Sequence, residues 1–266
     1  MKTALDKIID YKRDEVAELK KRSSLTALLS QARDTPEPRG FSNALQKVAD
    51  NGRNALICEL KRKSPSAGEI MPGANPVEIA RDYEAGGAAC LSVLTDLPSF
   101  GGSLDDLVQI RNAVKLPILR KEFMVDEIQV AEARAYGADA ILVILSVLDD
   151  SQAKSLINLS EELGMDAIIE VHDRAELDRA NNLPGKLVGI NNRDLKRMVT
   201  DLSTTEKLAP HLAEGKMLIS ESGISSPEHI ARLRKTGARR FLIGESLMKS
   251  DDRQAACETL SNAKHD

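Results

Sequence analysis

The sequence predicts an α/β protein, a (β/α)8 TIM barrel with an N-terminal helical extension. Three observations carry this. From residue 55 onward a short apolar run ending in polar or charged residues occurs eight times. An amphipathic helical stretch follows each run, and the unit recurs at roughly 20–35-residue intervals, the pattern of βαβ units on a parallel sheet. At 266 residues with 42% hydrophobic content, the chain can bury the core of one such barrel, read as a single domain over 1–266.

The first element is a helix. Leu5, Ile8, Ile9 and Val16 fall near one face of a 3.6-residue period among charged residues. A second helix is expected near Leu25 to Ala32, and the proline-bearing segment Asp34 to Gly40 breaks it. Residues 1 to about 50 therefore read as helices packed on the barrel. The strand runs follow: ALICELK (55–61), AACLSVLT (88–95), LPILRKEF (116–123), ADAILVIL (138–145), MDAIIEV (165–171), LVGINNRD (187–194), KMLISESG (216–223) and RRFLIGES (239–246).

The helix punctuation agrees with these runs. Asn75 before Pro76 starts a helix, and Gly86 with Gly87 stops it. Ser103 with Asp106, Asp173 with Glu176, and Ser203 with Glu206 have capping-box spacing. Ser226 before Pro227 is another start, with Gly237 as its stop. The competing arrangement, an open doubly wound sheet, has fewer strands and, where it binds dinucleotides, a G-x-G-x-x-G turn. No such turn occurs in the chain.

The net charge of −4 argues against a nucleic-acid surface and requires any anion to be held by a local basic cluster. Cys58, Cys90 and Cys257 fit neither a zinc site nor a disulfide framework and read as reduced thiols, so a cytoplasmic setting is expected. Met1 to Lys20 lacks the apolar core of a signal peptide, and no apolar run nears the about 18 residues of a membrane span. His172, His211 and His229 lack ligand spacing, and no metal is expected. His172 would share the parity of Glu170 only if strand five ran that far, and it is not counted among the candidates.

Active sites of this fold lie at the C-terminal ends of the strands. Glu59-Leu60-Lys61, Lys121-Glu122, Glu170, Asn191 with Arg193, Glu221-Ser222-Gly223 and Gly244-Glu245 occupy those ends. Side chains alternate along a strand, so Glu59 and Lys61 share the mouth-facing side while Cys58 faces the helices. Two lysines and two glutamates at one mouth suit acid–base chemistry, with a neighbouring cation expected to lower a lysine pKa. A structural ion-pair network is the other reading. Ser222-Gly223 and Gly244-Glu245, each before a helix start and after strands seven and eight, suit phosphate binding, although either alone reads as a turn. The basic loop 62–68 reads as a lid over an anion or as solvated surface.

These blocks resemble the indole-3-glycerol-phosphate synthase family over nearly the whole chain. CELKRKSPSAG (58–68), ACLSVLTD (89–96), PILRKEFMVDEIQV (117–130), GINNRDL (189–195) and ISESGI (219–224) carry the resemblance, ELKRKSPS with LRKEF being the most specific pair. It implies ring closure of 1-(2-carboxyphenylamino)-1-deoxyribulose 5-phosphate with loss of carbon dioxide and water, in tryptophan biosynthesis and without a cofactor. It implies Lys121 as general acid, Glu170 as general base, Lys61 holding the substrate carboxylate beside Glu59, and Asn191 positioning the catalytic groups. Arg193 and Glu221 join the substrate-binding set, with Ser64 in the strand-one loop and Phe100, Phe123 and Leu142 around the anthranilate ring. Ser222, Gly223, Gly244 and Glu245 match the phosphate site. The partner is then a phosphorylated small molecule, with no nucleic acid or membrane, and the chain a monomer or weak homo-oligomer.

Two departures stand out: the chain has no Trp, and RMVT (197–200) follows NNRDL where an aromatic is expected. Two rival readings remain. Phosphoribosylanthranilate isomerase, a barrel of the same pathway, uses a Cys and an Asp at strand ends, where this chain has a misfaced Cys58 and Asn191. A non-catalytic phosphate-binding barrel predicts loss of Lys121 or Glu170, and both are present.

Overall fold

The computed structural model describes residues 3–65, 67–194 and 199–264. Three helices come first: α1 (Ala4–Arg22), α2 (Leu25–Asp34) and α3 (Phe41–Asp50). The barrel strands are β1 (Ala55–Leu60), β2 (Cys90–Leu94), β3 (Ile118–Lys121), β4 (Ala140–Ile144), β5 (Asp166–Val171), β6 (Leu187–Asn191), β7 (Met217–Glu221) and β8 (Arg240–Ile243). The remaining helices are α4 (Pro76–Ala85), α5 (Leu97–Phe100), α6 (Leu104–Ala113), α7 (Glu127–Ala135), α8 (Asp150–Glu162), α9 (Arg174–Asn182), α10 (Ser203–Leu208), α11 (Pro227–Arg234), α12 (Glu245–Met248) and α13 (Arg253–Asn262).

Each strand pairs in parallel with its neighbours, and β1 pairs with both β2 and β8, which closes the barrel. Every strand lies inside the run predicted for it. Register sorts the side chains into two layers. Ile57 aligns with Cys90 and Leu242, and these pack inward with Leu119, Ala140, Leu142, Ile168, Leu187 and Ile219. The alternate residues Leu56, Cys58, Val93, Ile141, Ile169, Val188 and Phe241 pack outward under the helices. Cys58 is thus a packing residue, its Sγ 3.6 Å from Cys257 Sγ of α13.

The N-terminal helices run from the top of the barrel to its bottom. The apolar face of α1 joins the inner layer through Leu5, Ile8 and Ile9. Along the flank, α2 packs on α7 through Leu28, Ala32, Ile128 and Ala131. Below the barrel, α3 seals the floor with the fully buried Phe41 and Leu45. Its first turn is held there by Asp166 at the start of β5, which accepts from Ser42 N–H at 2.8 Å. Arg39 ties the same segment down by donating to the carbonyls of Arg111, Val114 and Leu116.

The predicted helix starts at Asn75, Ser103, Asp173 and Ser226 are N-caps, each side chain accepting a first-turn N–H. Ser203 is a correction. It is the first residue of α10, the N-cap position is Leu202 with no capping side chain, and Asp201 just before it accepts from both the N–H and the hydroxyl of Ser203. Asp and Ser serve equally well as acceptors, so the spacing alone selected the wrong one. Among the described residues no helix is long and apolar enough to cross a membrane.

Candidate active site

A cavity of about 470 Å³ opens at the C-terminal ends of the strands. All fifteen residues selected from the sequence line it: Glu59, Lys61, Ser64, Phe100, Lys121, Phe123, Leu142, Glu170, Asn191, Arg193, Glu221, Ser222, Gly223, Gly244 and Glu245. Parity places the charged ones. The inward positions of β1, β3, β5 and β7 that are apolar lower in the barrel become Glu59, Lys121, Glu170 and Glu221 at its mouth. Two glycines make the room. A Cβ on Gly189 would lie 2.0 Å from Glu221 Oε1, and one on Gly244 would lie 2.6 Å from Glu59 Oε1.

Lys121 is the hub. Its Nζ donates to Glu221 Oε2 at 2.8 Å and to Glu170 Oε2 at 3.3 Å. Lys61 pairs with Glu59 at 3.0 Å. Burial alone would lower the Lys121 pKa, but Glu221, Glu170 and Glu59 outweigh it and hold the ammonium charged well above its ordinary range. The expected lowering of a lysine pKa is therefore corrected: three carboxylates surround this lysine, and their field decides the sign. Burial would likewise raise Glu170, yet Lys121 and then His172 keep its carboxylate far below the usual range. Glu59 is also held down, by Lys61 and Lys121 against burial. Glu221 goes the other way. Burial, aided by the charge of Glu170, pushes it up to about 7 despite Lys121. Among the described residues its Oε1 has no hydrogen-bond partner, and with its raised pKa this carboxyl carries a proton most readily. The arrangement offers a cation, an ionised carboxylate and a carboxyl near neutrality within one side-chain network.

The rim after β7 and β8 differs in kind. Ser222 has φ 67°, the left-handed region, and Gly223 follows at φ 79°. Asn192 braces this turn, donating to Ser222 O and Ser220 Oγ at 3.1 Å each. Strained backbone of this sort persists where the surroundings fix it. Lys249 and Arg193 line the same end of the cavity, both paired with Glu245, at 2.7 and 3.6 Å. The opposite wall is apolar, with Phe100 and Phe123 rings 6.1 Å apart beside Leu142.

Sequence reasoning missed three parts of the site. Leu5 and Ile8 of α1 form cavity wall. Lys12 on the same helix face is buried and ion-paired with Asp96 at 2.8 Å and Glu122 at 3.0 Å, fastening α1 to the β2 and β3 ends. Its position four residues before Val16 and four after Ile8 was the available signal. Lys249, one turn after Glu245, is the third. The loop after β1 is also less free than expected. Arg62 makes a bidentate pair with Asp106 at 2.6 and 2.9 Å and donates to Gly101 O and Ala74 O. Lys63–Ser64 pairs with Gly68–Glu69, while Ser66 lies outside the described residues. Of the 197–200 stretch, 197 and 198 lie outside the described residues, and Val199 and Thr200 pair with Arg193 and Asp194 in a short ribbon. Among the described residues no cluster of three His, Cys, Asp or Glu could hold a metal ion.

Comparison with known proteins places the chain in a family. The family model described as indole-3-glycerol phosphate synthase matches residues 5–260. An indole-3-glycerol phosphate synthase of Hyphomonas neptunium is 63% identical over 255 residues, 96% of each chain. That of Rhodospirillum rubrum is 50% identical over 253 residues, covering 95% of this chain and 96% of its own. That of Azospirillum brasilense is 47% identical over 260 residues, covering 98% and 99%. The chain belongs to the indole-3-glycerol phosphate synthase family, carboxy-lyases of tryptophan biosynthesis.

Proposed function

We propose that the chain converts 1-(2-carboxyphenylamino)-1-deoxyribulose 5-phosphate to indole-3-glycerol phosphate, with Lys121 as general acid and Glu170 as general base. The observation that carries this is the Lys121 ammonium held between Glu170 and Glu221 in a cavity with an anion-suited rim on one side and an apolar wall on the other. The phosphate lies against the Ser222-Gly223 and Gly244-Glu245 backbone near Lys249, and the anthranilate ring against Phe100, Phe123 and Leu142. Lys61 holds the anthranilate carboxylate, Glu59 keeps Lys61 in place, and Asn191 and Arg193 steady the network beside Ser64.

As the ring carbon bearing the carboxylate bonds to the ketone carbon, the carbonyl electrons move to oxygen and Lys121 protonates it. An alkoxide is a stronger base than a lysine amine, so a raised lysine pKa does not prevent this transfer. A donor already in place stabilises the charge as it forms. Carbon dioxide then leaves with the ring regaining aromaticity. The new hydroxyl, protonated in its turn by Lys121 once solvent has restored the ammonium, departs as water while Glu170 takes the carbon-bound proton whose loss completes the indole. Glu170 must be ionised for this, and its depressed pKa keeps it so. The three cysteines are all free and buried, which supports a cytoplasmic setting, and the helices α1 to α3, packed on the barrel, act as part of one unit with it.

The test is to mix the purified chain with the substrate and follow indole fluorescence, which the absence of Trp leaves unmasked. Lys121→Ala is expected to abolish turnover while substrate binding through the phosphate persists. Glu170→Gln is expected to lower kcat by about 10²-fold or more with a smaller change in KM. Near-normal turnover in either variant overturns that residue's role.

A further inference from the structure

A histidine stands behind Glu170, out of the cavity wall. His172 follows β5 directly, and its backbone N–H donates to Glu176 Oε2 at 2.8 Å. Its Nδ1 lies 3.1 Å from the same oxygen, and its Nε2 lies 3.3 Å from Glu170 Oε1. Among the described residues Nε2 has no better partner than Glu170, with which it forms an ion pair. Glu176 is itself fixed, in the first turn of α9, where its N–H donates to Asp173 Oδ1 at 2.9 Å. The two oxygens of Glu170 are thereby divided, Oε1 toward His172 and Oε2 toward Lys121.

We infer that His172, braced by Glu176, is a positioning residue that fixes the rotation of the Glu170 carboxylate and keeps Oε2 turned toward the reacting centre. A carboxylate with one oxygen occupied by a fixed cation has one oxygen left to take a proton, always in the same place, and proton transfer depends on such placement. The inference rests on Glu170 being the base. The charged groups facing the imidazole are Glu170 from β5 and Glu176 from α9; beyond Glu170 stand Lys121 from β3 and Glu221 from β7, with the neutral Asn191 from β6. Burial would lower the His172 pKa, but the two flanking carboxylates raise it to about 10, so the imidazole is a cation throughout the neutral range.

The experiment compares wild type with His172→Asn, Glu176→Gln and Glu170→Gln in steady-state kinetics across the neutral range. It adds imidazole ¹⁵N NMR of wild type and Glu176→Gln, with the His172 signals assigned by elimination, from the signals lost in His211→Gln, His229→Gln and His265→Gln. His172→Asn is expected to lower kcat about tenfold with KM within about twofold, since only the placement of the base is lost. Its acid limb is expected to move up by about one pH unit, because a cation has left the Glu170–Glu221 pair. Glu176→Gln should give a smaller loss and an imidazole that titrates at lower pH than in wild type. A His172→Asn enzyme with unchanged kcat and unchanged pH profile, less stable or not, overturns the inference and leaves His172 as a structural pin of the β5–α9 turn. If that variant does not fold, the NMR decides: a wild-type imidazole that loses its proton near the ordinary histidine range overturns it equally. Normal turnover of Glu170→Gln is a separate result, since it removes the base itself.

Discussion

Replacing Lys12 by Met tests how the N-terminal helix becomes part of the site. Met keeps the stem and the helix propensity of Lys while deleting its charge. Asp96, with a fully buried side chain, loses its cation, and Glu122, 3% exposed, keeps only Arg120 at 4.0 Å. Breaking a buried pair from one side costs about 3–5 kcal/mol. The lower end applies, because each carboxylate keeps other donors. Asp96 still accepts from Tyr11 OH at 2.9 Å and Ser99 N–H at 2.8 Å, and Glu122 from Thr95 OH at 2.7 Å and Phe123 N–H at 2.8 Å. A loss of about 3 kcal/mol corresponds to a fall in Tm of roughly 6–12 °C for a chain of this size. The Lys12 pKa is raised, burial opposing and Glu122 and Asp96 prevailing. Its stabilisation is therefore complete below the unfolded lysine pKa and is lost only as pH rises through the higher folded value, so the deficit is constant across the neutral range. Leu5 and Ile8 of the loosened helix line the cavity, so KM should rise more than kcat falls. Thermal unfolding and steady-state kinetics at neutral pH measure both. Adding Asp96→Asn and Glu122→Gln should recover much of the lost stability, because no unpaired charge then stays buried. A single Lys12→Met variant within about 1 kcal/mol of wild type, the worth of an exposed pair, would refute the claim that this cluster fastens the helix.

Two further predictions concern the carboxylates around Lys121. Gly189→Ala puts a Cβ where Glu221 Oε1 stands, so the carboxylate must leave Lys121; kcat should fall at least about tenfold while circular dichroism stays that of a folded barrel, and an active variant would show that Glu221 is dispensable. In wild type, kcat/KM should rise with pH through about 7 as Glu221 ionises and pins Lys121, and Glu221→Gln should lack that limb; persistence of the limb would assign it to substrate phosphate or another group. The sign for stability is opposite: Glu221 holds a proton in the folded state that the unfolded chain releases near the ordinary carboxylate range, so its contribution declines as pH rises toward 7.

Local rules carried the fold a long way. The eight strands are short apolar runs whose ends are marked by charge, and a period of two assigns Glu59, Lys61 and Cys58 to their faces without any knowledge of partners. The strand ends then located the site, because the closed barrel brings all eight to one mouth. What stayed illegible depends on which groups meet across the barrel. The Lys121 pKa was expected to fall because a second lysine was in view; its neighbours are carboxylates from β5 and β7, 49 and 100 residues away. Lys12 was not singled out for the same reason, since Asp96 and Glu122 reach it only through the tertiary fold.

His172 shows where the parity rule itself stops. Alternation holds while the ladder continues, and β5 ends at Val171, so the sequence offers no ground for carrying the rule one residue further. The structure keeps His172 on the Glu170 side by another device, the bond from its N–H to Glu176 in the first turn of α9. Asp173 and Glu176 carry a capping-box spacing, but only half of the box forms: Asp173 caps the helix, while the Glu176 carboxylate turns to the histidine. Asp106 does the same after Ser103, giving its carboxylate to Arg62 at the root of the β1 loop. At both sites a helix-start signal is also a site-building signal. The spacing predicts where the helix begins, and the third residue's carboxylate, released from capping, reaches back to a group at the mouth of the barrel. Helices that follow barrel strands begin at the catalytic face, so an acidic third residue there stands within reach of the chemistry.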